Sequence, residues 1–257
     1  MDVGSLVGLL MGLAAIVVGN LIEGGHTDSL LQPTAAMIVL GGTIGATMVS
    51  FPIPVFIRAI KELKAVFTEK KRDPKKLIDE IVEYAQKARR DGIIALEQMV
   101  QKASHPFLTK ALTMAVDGAD SKSMRENLEL MLTHIEEDGE KPAKVWEAAG
   151  GFAPTIGIIG AVMGLIHVMQ NLTDVGAVGR GIAVAFVATI YGLVSANLIF
   201  LPSSTKLKQR HRVEMISLEL MLEGALAIQE GQNPNLIREK LQAFHSEAET
   251  KGQAAKV

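Results

Sequence analysis

Between Met1 and Ile57 this chain carries not one lysine or arginine, and no other feature of the sequence constrains its fold as strongly. Inside that stretch, Val3 to Ile22 and Ser29 to Ile57 hold no charged residue at all. Two further runs, Ala148 to Thr173 (with only His167 titratable) and Gly181 to Thr205, are equally free of charge. Each matches or exceeds the roughly 20 residues that a helix needs to cross about 30 Å of hydrocarbon. Their many glycines and alanines suit helices that approach one another closely. The expectation is an all-α integral membrane protein with four transmembrane helices. The first run is expected to be retained: Asp2 is its only early charge, no basic segment precedes it, and a second run follows at once.

The basic residues orient the chain. Of 26 Lys and Arg, 17 lie between Arg58 and Lys144 and eight follow Ser203, while the short connections near 21–32 and 171–178 have none. Basic loops stay on the cytoplasmic side, so both termini and the long loop are expected there. Arg180 is expected to snorkel from the outer end of the fourth span. This divides the chain into spans one and two (1–57), a helical cytoplasmic domain (58–147), spans three and four (148–205) and C-terminal helices with a tail (206–257).

The loop and tail read as helix throughout. Pro74 can open a helix with Leu77, Ile81 and Ala85 on one face. Ser123 and Glu126 have the spacing of a capping box ahead of Leu128, Met131, Leu132 and Ile135, and Gly139 and Pro142 are expected to end that helix. The fourth span is expected to run on through Val213, Ile216, Leu220 and Ala227. A turn at 231–234 should lead to a last helix with Leu236, Ile237, Leu241 and Phe244, and 247–257 should fray.

Chemistry is conspicuous by its lack. A net charge of −2 removes the electrostatic case for nucleic acid, and the absence of cysteine removes disulfides, thiolate metal sites and thiol nucleophiles. No nucleotide-binding, metalloprotease or nucleophile-elbow motif occurs, so neither an enzyme, a cofactor nor a metal site is expected. The repeats Gly41-x-x-x-Gly45 and Gly160-x-x-x-Gly164 read as helix-packing spacings. Membrane proteins that move ions usually carry an ionisable group at depth, yet the spans offer only His167. Their polar groups are Thr155, Thr189, Tyr191, Ser195 and Asn197. Either nothing is conducted, or the titrating acid comes from another polypeptide. For Thr189, a hydroxyl bonded to its own helix carbonyl four residues back stands as an equal reading.

The string Phe152-Ala153-Pro154-Thr155-Ile156-Gly157-Ile158-Ile159-Gly160-Ala161-Val162-Met163-Gly164 resembles span three of the flagellar stator A subunits, the MotA/PomA type of the MotA/TolQ/ExbB superfamily. So do Val187-Ala188-Thr189-Ile190-Tyr191-Gly192, with Pro202 thirteen residues after the threonine, and the tail string from Leu226 to Pro234. The resemblance implies a pentamer in the bacterial inner membrane, set around a B subunit (MotB/PomB type) whose membrane aspartate passes ions. It also implies torque delivered to the rotor switch protein FliG. By position, Pro154 and Pro202 match the family's functional prolines and Thr189 its pore threonine. Arg89 and Glu97, with Arg90 beside them, match its rotor-facing charges; if one helix ran through Gly92, positions 89, 93 and 97 would share a broad side. Sodium-driven members place a threonine where this chain has Ala161, so proton coupling is implied. Rival readings are an ExbB/TolQ-like subunit, which has one span before its loop, a sodium-coupled stator, and a membrane scaffold without ion flow.

Overall fold

The computed structural model describes residues 2–68 and 73–254, the last of these, from 246, as backbone only. It is 88% helical, with no strand among the described residues. The helices are α1 (Val3–Ile22), α2 (Pro33–Ala36), α3 (Gly42–Ser50), α4 (Ile53–Val66), α5 (Pro74–Asp91), α6 (Glu97–Val100), α7 (Pro106–Val116), α8 (Ser121–Gln170), α9 (Val175–Val194), α10 (Leu201–Gln229) and α11 (Pro234–Ala254). Among the described residues, four stretches are long and apolar enough to cross a membrane: Val3–Ile22, Thr27–Ser50, Ser121–Gln170 and Val175–Gln229. The chain divides into two compact units, one of residues 1–69 with 140–209 and the other of 70–139 with 210–257.

In the first unit, π-turns at Met37–Gly41 and Ser195–Phe200 join α2 to α3 and α9 to α10. The uncharged run 29–57 is not one helix. α3 stops at Ser50 and Phe51 is extended (φ −133°, ψ 145°), because Pro52 crowds the α conformation of the residue before it. α4 then starts afresh, and Trp146 on α8 donates its indole N–H to the Ala59 carbonyl at 3.1 Å while stacking on Phe200. Asp2 caps α1, donates its own N–H to the Phe67 carbonyl and pairs with Lys206 on α10.

The second unit packs around a cluster of large apolar side chains. Ile81, Leu96, Leu108, Leu112, Met124 and Leu128 are fully buried, together with Leu218 and Leu220 of α10 and Ile237 and Leu241 of α11. Leu77, Ile81 and Ala85 do share the inner face of α5, and Leu128, Met131, Leu132 and Ile135 that of α8. α10 carries the fourth span on to Gln229, Gly231 turns the chain at φ +68°, and α11 follows as expected.

Three helix-end readings fail. Asp120, not Ser123, caps α8: its carboxylate accepts the N–H groups of Lys122 and Ser123 at 3.1 and 3.0 Å. Nor do Gly139 and Pro142 end α8, which continues to Gln170 through Pro142 and Pro154. A proline inside a helix forfeits one hydrogen bond, yet the helical assignment runs on past both. Third, α11 continues to Ala254, through most of the stretch expected to fray, and 255–257 lie outside the described residues.

Candidate functional site

Small residues make the seam between α8 and α9. A Cβ added at Gly157 would lie 2.9 Å from the Ala188 carbonyl oxygen and 3.3 Å from the Gly192 Cα. One at Gly160 would meet the Ala188 Cβ at 2.7 Å, and one at Gly164 the Gly181 carbonyl at 2.8 Å. Steps of three and four on α8 thus face Gly181, Ala185, Ala188 and Gly192 on α9, so the backbones touch where any larger side chain would separate them. The Gly160–Gly164 expectation holds. The Gly41–Gly45 one does not within the chain: both face open space, and it is Gly42 that meets Ile156 of α8.

Two of the sequence candidates border this seam. The Pro154 Cα would be 3.2 Å from a Cβ on Gly192, and the Thr189 Cα 3.5 Å from one on Gly157. The Thr189 hydroxyl donates to the Ala185 carbonyl at 3.2 Å, the local bond weighed for it. Ala161 is half-buried one position beyond Gly160 and offers only a methyl group. Pro202 is exposed, and 13 residues at 1.5 Å each set it about 20 Å along the helix from Thr189. Pro154 lies within α8, and Pro202 is the second residue of α10 directly after the π-turn, where Leu201 N–H bonds five residues back to Ala196. That wider turn gives the proline ring room that a regular α-turn denies it.

The charge candidates lie on the second unit, but not on one helix. α5 ends at Asp91, and Gly92 sits at φ +86°, ψ 158°, a conformation that L side chains avoid. A 3₁₀ turn (Ile93–Leu96) and α6 follow, so the shared side for 89, 93 and 97 does not form. Arg90 is forked onto Asp91 at 3.1 and 3.2 Å, and Lys87 reaches the same carboxylate at 2.5 Å. The hydrogen bond from Arg90, then that from Lys87, holds Asp91 down to about 2. Arg89 and Glu97 are exposed and have no hydrogen-bond or ion-pair partner among the described residues. Ile94 between them is 71% exposed.

Sequence reasoning missed how Tyr191 works. Its hydroxyl donates to the Leu30 carbonyl at 2.5 Å and accepts the Gln32 N–H at 3.2 Å, tying the fourth span to the first hairpin. A tyrosine amid apolar residues was the only signal. Thr43 and Thr47, buried on the span-two face that continues Ala35 and Val39, were missed as well.

Four helical stretches long and apolar enough to cross a membrane among the described residues, two of them packed along a seam of small residues, define an integral membrane protein. Residues 99–220 match the MotA/TolQ/ExbB proton channel family, and residues 6–92 the Motility protein A N-terminal family. Motility protein A of Bacillus subtilis (strain 168) is 34% identical over 94% of this chain and 90% of its own length. Chemotaxis protein PomA of Vibrio alginolyticus is 34% identical over 96% of each. Among solved structures, C. jejuni MotAB superposes with a TM-score of 0.89 at 32% identity, over 95% of this chain and 96% of that one. The flagellar MotAB stator complex from Bacillus subtilis gives 0.85 at 33% identity, over 93% and 95%. The chain belongs to the MotA/TolQ/ExbB proton channel family. Within it, the chain is a flagellar stator subunit, which is not an enzyme.

Proposed function

We propose that this stator subunit forms a ring, a pentamer, around a B-type partner in the inner membrane, with both termini in the cytoplasm. Protons moving past the partner's membrane aspartate drive the ring, and exposed charges on the second unit pass the motion to FliG. The observation that carries this reading is the seam itself: it offers Thr189 and Pro154, with Ala161 one position beyond Gly160, but no group that titrates. The carboxylate must therefore come from outside the chain, and the prolines give α8 and α10 places to flex as it is protonated and released. A proton needs no coordination shell, so the methyl group of Ala161 costs its pathway little. Sodium would need oxygens that the alanine does not supply.

Motor speed in cells with a collapsed sodium gradient and an intact proton-motive force tests the ion. Continued rotation is expected; rotation that stops and returns with added sodium overturns proton coupling. Arg89→Glu or Glu97→Lys is expected to lower torque in part, since exposed pairs are worth about 0–1 kcal/mol each, with compensating reversals on the rotor restoring swarming. Loss of membrane insertion in these variants would mark the charges as structural. Because the chain lacks cysteine, Gln98→Cys and Thr173→Cys report its orientation through membrane-impermeant thiol labels.

A further inference from the structure

Helix α4 has two faces that the channel reading leaves unused. Its inner face is fastened: Ala59 and Val66 are buried, and the Ala59 carbonyl accepts the Trp146 indole N–H. Its outer face is not. Ile53, Ile57 and Ile60 stand 60%, 45% and 48% exposed, and Lys61 and Lys64 are exposed beyond them. At 100° per residue, positions 53, 57, 60 and 64 fall within about 60° of one another, with 61 at the margin. The stripe thus changes from apolar to basic along roughly 16 Å of helix axis. The one acid of α4, Glu62, lies off this stripe and is engaged by Arg58 at 2.7 Å. Solvent would not favour three isoleucines, and an acyl-chain region alone would not favour two lysines. The boundary of a bilayer satisfies both, with isoleucines among the chains and lysines at the headgroups.

We propose that the outer face of α4 is a binding surface for anionic phospholipid, with Lys61 and Lys64 holding the headgroup phosphate and Ile53, Ile57 and Ile60 lying against its chains. Charge complementarity commits the surface to acidic lipid: it is basic, and the acid nearby is already paired. The proposal needs only that the spans sit in a bilayer, so it stands apart from the choice of ion and from the rotor contact.

The test uses the full chain co-purified with its B-type partner and reconstituted into nanodiscs of mixed phosphatidylglycerol and phosphatidylcholine. Lipid retained by the released complex is counted by native mass spectrometry. The wild type is expected to enrich phosphatidylglycerol, and Lys61→Gln with Lys64→Gln to lose that enrichment, by about fivefold for each lysine near the surface. Lys61→Arg with Lys64→Arg is expected to keep it, which separates charge from misfolding. Equal enrichment in the Gln and wild-type complexes overturns the proposal. So does a disulfide between neighbouring copies bearing Ile57→Cys without any lipid preference, because a second copy would then occupy the face.

Discussion

The two units of this chain are held together by different means. The second unit buries Leu108, Leu112, Leu128, Leu218 and Leu241 completely, and removing such side chains from water is what drives its folding. The first unit buries few large side chains: α1 has no buried residue, and the apolar contacts of the spans include Ala35, Val39, Val187 and Ala188. In hydrocarbon, apolar side chains gain little by leaving the lipid, so helices are joined by close fit and hydrogen bonds instead. Glycine is thus a core residue in one unit, whereas in the other it mainly marks turns such as Gly92 and Gly231.

The largest expected effect on assembly breaks the close fit. Gly157→Val should separate α8 from α9, because its side chain would meet the Ala188 backbone and not a flexible side-chain tip. Overpacking of this kind costs about 1–3 kcal/mol or more, and loss of assembled complex with loss of motility is the readout. Gly45→Ala, which faces open space, should leave both intact; equal damage from the two would erase the distinction. In the second unit, Leu128→Ala should cost about 2–5 kcal/mol through the cavity it leaves, read by thermal unfolding of the chain in detergent.

Two smaller effects separate buried charge from buried bulk. Burial pulls the Glu223 carboxyl upward, but hydrogen bonds from Arg125 and Lys240 outweigh it and leave the group below its ordinary range. A lowered carboxyl stabilises the fold above its ordinary pKa and loses that contribution as pH falls through the lowered value. Glu223→Gln should therefore destabilise by about 1 kcal/mol at neutral pH and converge with the wild type in acid. Glu219 is the opposite case, raised by burial and then by Glu136. Its charged form is the disfavoured one, so Glu219→Gln should stabilise slightly at neutral pH, with the gain fading as pH falls through the raised value and gone below the ordinary carboxyl range. Melting curves of both variants across pH would show the two trends diverging; parallel trends would refute the assignment.

Read from residues alone, the membrane class was plain, because a run without charge long enough to span has few other uses. The inner faces of α5, α8 and α11 were equally plain, since helical spacing of Leu and Ile depends on local geometry alone. Helix ends were harder. Gly139 and Pro142 are ordinary stop signals, yet α8 runs through both. Thr189 kept two readings in the sequence, and the structure makes the local bond to the Ala185 carbonyl.

Charge distribution and hydrophobic spacing thus determined by themselves that four spans exist, that a helical loop unit lies between them, and that no titrating carboxylate lies within the spans. These are properties of single helices, set by solvent and by a period of 3.6 residues. Only the tertiary structure decided that α8 passes through two prolines, that Gly42 and not Gly41 or Gly45 is the contact on span two, that Tyr191 reaches back to Leu30 and Gln32, and that Arg89 and Glu97 stand on different elements across Gly92. Each depends on which partner lies opposite a given face, and that is settled by packing between segments far apart in the chain.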